Sequence, residues 1–365
     1  MNVELKQPLR TAKSKLSIVD CDIHPRAKLE DLRPYLSNHW WNYIQTYGLR
    51  PRHGHVKGYP FPKPTPLASR RDSWPPGGLP ASDLDFTRAQ HLDFYGIEHG
   101  ILNPLAPSGQ GDQNTDLSAA LAFAINEWQV ADWVRREPRL KASVVVPYED
   151  AEASVAEIRR CAGNRDFAHV LLLSRTSEAL GRRRYWPIFE AAVEAGLPVG
   201  IHVFGYSGWA MTGTGWPSFY LEEGIENATT TQTLIASMIM EGVFERCRDL
   251  KVVLIETGFA WLPALGWRLD KHWERMRDEV PHVRRPPSEY LREHFWVSTQ
   301  PMEETEKPDQ LIDVMEWIGF DRLLFASDYP HWDFDDPFLS LPPSLSEARR
   351  RAIYADNARA VYRLA

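Results

Sequence analysis

The sequence has few cysteines, and they are spread along the chain. They are Cys21, Cys161 and Cys247, and none belongs to a Cys-x-x-Cys pair. This spacing excludes a disulfide framework and predicts free thiols in a reducing cytoplasm. The sequence also lacks an apolar run of about 18 residues, and its first residues lack the apolar stretch of a signal peptide. We therefore expect a cytoplasmic protein with no membrane-spanning helix and no membrane partner.

An excess of positive charge is also missing. The 42 lysine and arginine residues are outnumbered by 49 aspartate and glutamate residues, which gives a net charge of −7. Proteins that bind nucleic acids need a basic surface, so we expect no nucleic acid partner. Hydrophobic residues make up 43% of the chain, which is enough for a large packed core and too much for a disordered chain. Because no repeat or linker interrupts the sequence, we interpret residues 1–365 as one domain.

Short apolar segments alternate with longer segments of helical periodicity. The apolar segments are residues 17–23, 99–103, 142–147, 168–173, 198–203, 252–256, 295–299 and 322–326. The helical segments are residues 117–136, 151–162, 185–195, 230–244, 263–279, 304–317 and 344–355. Eight strands of the parallel, doubly buried type with helices between them predict an α/β fold of the (β/α)8 barrel class. An open doubly wound sheet is the alternative, and it is disfavoured because no glycine-rich phosphate-binding turn follows the first strand.

Two connections, residues 45–90 and 204–227, are longer than ordinary loops. The first is rich in proline, and the second is rich in glycine and aromatic residues. They come after predicted strands one and five, which places both on the C-terminal face, where barrel enzymes have their active sites. We interpret them as pocket walls or a lid. A contact between subunits is the alternative.

The first predicted strand ends in a pattern of acidic and imidazole side chains. Asp20, Asp22 and His24 alternate with Cys21 and Ile23 in the segment IVDCDIHP. A period of two places the three polar residues on one face of the strand and turns Cys21 away. In a barrel that face points inward, where carboxylates need a partner or a cation. A carboxylate and an imidazole two residues apart can bind one divalent ion.

Three other predicted strands end in residues of the same types. His202 ends the apolar run of strand five, Glu256 ends strand six, and Asp328 follows strand eight, with His331 in the next loop. Taken alone, His202 is better explained as a core histidine bonded to a backbone carbonyl. Taken together, the strand ends predict a metal centre, because imidazole and carboxylate ligands suit zinc, iron or manganese. We expect zinc first, with iron or manganese as alternatives.

Longer blocks extend these patterns over most of the chain. The segments VDCDIHP, YWPIFEAAVEAGLPVGIH, LKVVLIETGFAWLPAL, FASDYPHWD and DNARAVYRL occur in this order. The set resembles the amidohydrolase superfamily, in its amidohydrolase-2 branch, over about residues 16–364. The resemblance implies a distorted metal-dependent barrel with Asp22, His24, His202 and Asp328 as metal ligands. Members of this branch include hydrolases and non-oxidative decarboxylases of aromatic or unsaturated acids, often dependent on zinc or manganese.

The chain departs from the family pattern at three strand ends. Many members carry His-x-His or Glu-x-His on strand one, where this chain has Asp22 and His24. Hydrolytic members have a histidine on strand six, where this chain has Glu256. No lysine ends strand four, where Arg175 is nearest. A small group that resembles this branch uses two irons to activate dioxygen, and the ligand types here leave one metal ion or two open.

Three functions are therefore compatible with the sequence. In the first, a hydrolase or decarboxylase of a small organic acid, the ion would polarise the substrate and Asp328 would carry the proton. Glu256 would fix the tautomer of a ligand imidazole, and His331 would orient the substrate. In the second, a di-iron oxygenase, Glu256 and His331 would be ligands. In the third, the chain is a metal-retaining, non-catalytic subunit beside a paralogous partner.

The second long connection and the loop after strand eight also carry aromatic side chains that would line a substrate pocket. The candidates are Phe204, Tyr206, Trp209, Trp216 and Trp332. We expect a small-molecule substrate and a homo-oligomer, with the paralogous partner subunit as the alternative.

Overall fold

A parallel sheet that curves into a barrel dominates the structure. The computed structural model describes residues 17–49, 68–110, 114–205, 215 and 217–364. Within them, eight strands form one sheet whose order follows the chain, and each neighbouring pair is parallel. The strands are β1 (Ile18–Ile23), β2 (Ile97–Leu102), β3 (Leu140–Val145), β4 (Phe167–Arg175), β5 (Val199–Gly205), β6 (Val252–Ile255), β7 (Phe295–Ser298) and β8 (Leu323–Leu324). The predicted (β/α)8 barrel is confirmed.

The segment that follows β8 nearly closes the barrel against β1. The Cys21 N–H donates to Phe325 O at 3.0 Å, and the His24 N–H donates to Tyr329 O at 2.8 Å. Both acceptors, Phe325 and Tyr329, lie after the short strand β8. The two bonds place the residues after β8 directly beside the end of β1.

Helices surround the sheet. They are α1 (Asn38–Tyr47), α2 (Leu84–Thr87), α3 (Thr115–Trp128), α4 (Ala151–Cys161), α5 (Trp186–Ala195), α6 (Glu223–Met240), α7 (Val243–Arg246), α8 (Leu262–Met276), α9 (Pro287–His294), α10 (Pro308–Ile318), α11 (Glu347–Arg351) and α12 (Asn357–Tyr362). Short 3₁₀ segments are Leu29–Tyr35, Arg71–Ser73, Arg183–Tyr185, Tyr220–Glu222, Arg277–Glu279 and Phe320–Arg322, and π-helical segments are Arg88–Asp93, Gln129–Val134 and Ala352–Asp356.

Local side-chain chemistry explains where several helices begin and end. The Asp150 side chain accepts the Ala153 N–H at 3.0 Å and caps α4, an interaction that typically contributes about 1 kcal/mol. Gly196 follows α5 in the left-handed conformation, with a φ of 67°, as expected for a glycine after a helix. Helix α6 begins at Glu223, before the predicted residue 230. The prediction missed the first turns because none of their described side chains is buried, so they lack the apolar spacing on which it depends.

Buried side chains fill the inside of the barrel. Val19, Ala168 and Ile255 belong to strands that are not neighbours, yet they share one buried cluster, so they point inward. Val361 and Tyr362 of α12 join this cluster and cover one end of the barrel. Each large apolar side chain buried in this way contributes about 1.5–3 kcal/mol. The polar strand ends lie at the opposite, C-terminal end.

The described ends of both long connections contact the segment after β8. The Arg70 N–H donates to Pro330 O, and the Trp332 N–H donates to Ala68 O, both at 2.9 Å. The Trp332 indole N–H donates to the Tyr220 hydroxyl at 3.1 Å. Both connections therefore reach the C-terminal face, as the sequence predicts.

The prediction that residues 45–90 are irregular is wrong near both ends of the segment. Helix α1 extends to Tyr47, and α2 lies within the same stretch. Residues 50–67, 206–214 and 216 lie outside the described residues, so a wall or lid stays a prediction.

Two simpler expectations are also tested by the structure. The three cysteines are buried and free. Among the described residues, no helix is both long enough and apolar enough to cross a membrane.

Gly200 in β5 provides a test of packing inside the barrel. A Cβ at Gly200 would lie 2.8 Å from His169 Nε2, and the His169 side chain is fully buried. We expect Gly200→Ala to lower the free energy of unfolding by about 1–3 kcal/mol, measured by urea denaturation. The matched change Gly224→Ala in α6, where a Cβ meets nothing within 4 Å, should instead raise stability by about 0.5–1 kcal/mol. Equal effects of the two changes would contradict this packing.

Candidate metal centre

Six side chains that the sequence singled out meet at the C-terminal end of the barrel. They form two overlapping groups, in each of which the possible ligand atoms all lie within 4.8 Å of one another. The first group contains Asp22, His24, His202 and Glu256, and the second contains His24, Glu256, Asp328 and His331. The ends of β1, β5, β6 and β8 deliver these residues, because the carboxyl ends of parallel strands meet at one edge of the barrel.

Short distances connect the carboxylates to the imidazoles. His24 Nε2 lies 3.2 Å from Asp22 Oδ1 and 2.9 Å from Asp328 Oδ1. His202 Nε2 lies 2.8 Å from Glu256 Oε2 and 3.7 Å from Asp22 Oδ2. Asp22, His202 and Asp328 are fully buried, so these groups face one another and not water.

The first group has the unsatisfied donors and acceptors expected of a metal site. Asp22 Oδ2, His24 Nε2, His202 Nε2 and Glu256 Oε2 are buried and have no hydrogen-bond partner of acceptable geometry. A buried polar atom without a partner costs about 1–3 kcal/mol. A divalent cation would satisfy all four atoms at once, so the donor set fits a metal ion such as zinc, iron or manganese.

Backbone carbonyls fix the tautomers of both imidazoles in the first group. The His24 Nδ1–H donates to Asn103 O at 2.8 Å, and the His202 Nδ1–H donates to Val203 O at 2.9 Å. Each Nε2 therefore presents its lone pair to the group. The expectation that Glu256 fixes a tautomer is wrong, because Glu256 contacts the Nε2 side of His202.

Asn103 is a supporting residue that the sequence analysis missed. Its Nδ2–H₂ group donates to Asp22 Oδ1 at 2.8 Å and to Cys21 O at 3.2 Å, while its backbone carbonyl accepts from His24. One asparagine thus orients two candidate ligands. Its position at the end of the second predicted strand, at the depth of the ligands, was the available signal.

The electrostatics of the site favour positive charge. Burial opposes the charged form of His202, but Glu256 and Asp22 raise its pKa to about 10. Burial also opposes ionisation of Asp22, while His24 and His202 hold its pKa well below the usual range. Burial and the nearby Glu256 raise the pKa of Asp328. A divalent ion would supply the positive charge in place of protons on the imidazoles.

Asp328 lies between two imidazoles. Its Oδ1 accepts a hydrogen bond from His331 Nδ1 at 2.6 Å and also faces His24. Burial lowers the pKa of His331 to about 4, so the His331 imidazole is neutral at pH 7. The side chain of His331 keeps 15% of its surface exposed, which places it at the rim of the group.

Asp20 does not join the metal centre, so the prediction that it shares a face with Asp22 and His24 is wrong. Its carboxylate accepts hydrogen bonds from Ser327 N at 2.9 Å, Ser327 Oγ at 2.5 Å and His91 Nε2 at 2.7 Å. A register shift in β1 between Asp20 and Ile23 breaks the alternation on which the prediction depended.

Cys21 also departs from the alternation. It packs in the buried cluster inside the barrel, and it is not turned out of it.

The predicted aromatic pocket is described only in part. The Phe204 ring lies 5.9 Å from the His202 ring, and Trp332 is 53% exposed beside the same site. Tyr206, Trp209 and Trp216 lie outside the described residues, so the pocket stays a prediction.

The fold and this group of ligands define a metal-binding (β/α)8 protein. The sequence model of the amidohydrolase family matches residues 19–364. The chain therefore belongs to the amidohydrolase family, and the resemblance noted from the sequence is confirmed.

Several proteins that this chain is similar to are decarboxylases. The gamma-resorcylate decarboxylase of Polaromonas sp. strain JS666 is 27% identical over 314 residues, which cover 80% of this chain and 91% of that protein. The gamma-resorcylate decarboxylase of Rhizobium sp. strain MTP-10005 is 27% identical over 304 residues, which cover 77% of this chain and 88% of that protein.

A solved structure with the same fold belongs to a 5-carboxyvanillate decarboxylase of Novosphingobium aromaticivorans, in complex with manganese and 4-hydroxy-3-methoxy-5-nitrobenzoic acid. It matches with a TM-score of 0.70 and 20% identity, over 98% of this chain and 99% of that one. The manganese-bound dihydroxybenzoic acid decarboxylase of Polaromonas sp. matches with a TM-score of 0.66 and 21% identity, over 96% of this chain and 97% of that one.

Removal of one imidazole tests the metal centre. We expect His202→Ala to weaken metal binding by more than the roughly 10–100-fold that loss of a supporting partner causes. The measurement is metal content per chain after dialysis against a trace of free ion. His294→Ala is the matched control, because His294 is also buried and contacts a backbone carbonyl, Leu250 O, at 2.9 Å. Unchanged metal content in His202→Ala would remove His202 from the ligands.

A second change tests the role of Asp20 in stability. Asp20→Asn would leave the donors of Ser327 and His91 with a weaker, partly mismatched acceptor. Because a buried donor that is left without a good acceptor typically costs about 1–3 kcal/mol, we expect a loss of that order in the free energy of unfolding. Asp72→Asn is the control, since Asp72 pairs with Arg70 at an exposed site and should change stability by about 0–1 kcal/mol. Similar losses in both variants would contradict the assignment.

Proposed function

We propose that the protein is a metal-dependent, non-oxidative decarboxylase of a small aromatic carboxylic acid. The observation that carries the proposal is the group of four buried ligand atoms without hydrogen-bond partners, with the Asp328 carboxylate beside it. Membership of the amidohydrolase family and the similarity to two gamma-resorcylate decarboxylases support this function.

Manganese is the ion we propose, in place of the zinc expected from the sequence. Two structures of the same fold carry manganese. The ligand types agree with that choice, because the two groups of side chains contain three carboxylates as well as imidazoles. Carboxylate-rich sites suit manganese, whereas zinc more often takes nitrogen and sulfur ligands.

One ion per chain fits the donor set better than two. The two groups of side chains share His24 and Glu256. The His24 Nε2 has a single lone pair and binds one ion, so a second ion would lack that ligand. Neither group includes a residue of β4, which ends at Arg175. The relatives described above are decarboxylases and not oxygenases, so we do not propose the di-iron oxygenase.

The reaction needs a proton at a defined place. Decarboxylation breaks the bond between the ring carbon and the carboxylate, CO₂ leaves, and the electron pair stays on the ring carbon. That carbon must then accept a proton. When bound, the divalent ion would supply Lewis acidity toward the anionic oxygens of the substrate.

Asp328 is the residue we propose for the proton transfer. Its carboxyl is buried beside the ligand group, and burial raises its pKa, which favours the protonated form that a proton donor needs. His331 donates to Asp328 Oδ1 and so orients the carboxyl toward the site. Glu256 lies beside His202 Nε2, where we propose it as a metal ligand together with Asp22 and His24.

Hydrolysis and a non-catalytic role remain the alternatives. A test uses the purified chain loaded with manganese and incubated with gamma-resorcylate or 5-carboxyvanillate, the acids named for its relatives. Release of CO₂ that stops when the metal is chelated supports the proposal. Hydrolysis of amides or esters by the loaded protein, without CO₂ from any aromatic acid, would contradict it. Assembly into a homo-oligomer stays a prediction.

The proton carrier can be tested by one substitution. We expect Asp328→Asn to lower kcat by about 10²–10⁴-fold, because the amide cannot deliver a proton to the ring carbon. Asp336→Asn is the control, since Asp336 lies in the same segment and accepts hydrogen bonds from Phe338 and Tyr95 outside the site. If Asp328→Asn keeps its metal and turns over substrate at the wild-type rate, another group carries the proton.

A further inference from the structure

Strand β7 supplies no ligand, yet it lies between β6 and β8, which both do. We propose that Ser298, Gln300 and Glu303, at the end of β7 and just after it, are positioning residues. They hold Glu256 on one side and Asp328 on the other. The proposal rests on the proposed function for the roles of those two carboxylates.

Both carboxylate residues need external support. Glu256 has a φ of 59° and Asp328 has a φ of 61°, which places both in the left-handed region. Residues with a Cβ are strained there, and such a conformation persists only where surrounding contacts hold it. Two strained residues of this kind flank the same strand, so the contacts that β7 makes with each of them decide whether the ligands stay in place.

Ser298 supports Glu256 directly. The Ser298 hydroxyl accepts the Glu256 N–H at 3.0 Å and donates to Gln300 O at 3.1 Å. The serine is almost fully buried, so water cannot replace it. The hydroxyl therefore joins the backbone of the strained residue after β6 to the backbone after β7.

Glu303 holds the turn that follows Glu256. Its Oε1 accepts the N–H groups of Phe259 and Ala260, each at 2.9 Å. Gly258 lies inside this turn with a φ of 63°, and a Cβ there would come within 3.0 Å of Glu303 Oε1. The Glu303 carboxylate thus binds the backbone of a turn in which glycine is favoured at position 258. These hydrogen bonds hold the chain between Glu256 and α8 in place.

Gln300 supports Asp328 on the other side. The Nε2 atom lies 3.2 Å from Asp328 Oδ2, 3.4 Å from Asp333 O and 3.3 Å from Asp333 Oδ2. All three neighbours are acceptors, so the amide must turn its N–H₂ group toward them. Gln300 therefore holds Asp328 Oδ2 and leaves Oδ1 directed at His24 and His331.

The test compares variants that remove each contact with variants that keep it. Ser298→Ala and Glu303→Leu remove the acceptors, whereas Ser298→Thr and Glu303→Gln retain them. Manganese affinity is measured on the full chain by calorimetric titration, and folding is checked by near-ultraviolet circular dichroism. We expect about 10–100-fold weaker manganese binding in the first pair and at least partial recovery in the second. Thr305→Ala, whose hydroxyl donates only to Lys307 O in the same segment, should bind manganese as the wild type does.

Gln300→Met separates positioning from substrate binding. It keeps the length of the side chain and removes the N–H₂ group, so Asp328 loses its orientation. We expect kcat to fall by about tenfold or more while KM changes little.

Wild-type manganese affinity in folded Ser298→Ala and Glu303→Leu would overturn the proposal. An equal loss in Glu303→Gln and Glu303→Leu would also overturn it, because the acceptor would then be irrelevant. If Glu303→Leu does not fold, the serine pair decides the outcome alone. Manganese binding is measured without substrate, so a chain that binds the ion but releases no CO₂ contradicts the proposed function and leaves this inference standing.

Discussion

The mutual repulsion of buried carboxylates is the constraint on which the rest of the structure depends. Asp22, Glu256 and Asp328 lie close together at the C-terminal end of the barrel, where little water reaches them. Taking such charges out of water costs several kcal/mol for each unless opposite charge compensates them. Among the residues that the structure describes, the nearby imidazoles supply the charge that faces these carboxylates. A divalent cation would compensate the carboxylates further, and the fold acts as a frame that keeps its candidate ligands from moving apart.

Strands that carry no ligand supply much of that frame. Asn103, directly after β2, orients Asp22 and His24 of the adjacent strand β1. Asp20 ties the end of β1 to the residue before Asp328. Barrel enzymes of this type are often described by the residues that touch the metal. In this chain, the contacts of neighbouring residues such as Asn103 also orient those ligands.

The sequence predicted features that depend on local residue patterns, and it did not predict contacts between residues that are distant in the chain. Apolar strand segments and the polar residues that end them predicted the barrel and the convergence of His202, Glu256 and Asp328. Period-two reasoning failed at Asp20, because a register shift is a property of strand pairing and not of one strand. Glu303 could not have been found in this way, since it meets Phe259 only through folding. Helical periodicity predicted helices where one face is buried. It missed the first turns of α6, because none of their described side chains is buried.

The contact between Asp20 and Ser327 has a consequence for how the protein matures. These residues are 307 positions apart in the chain: Asp20 lies in the first strand, and Ser327 lies just after the last one. During translation, the β1 ligands leave the ribosome long before Asp328 and His331 have been made. An incomplete chain therefore contains the candidate ligands of β1 without Asp328 and His331. The full set of side chains around the proposed ion comes together only when the two ends of the barrel have joined.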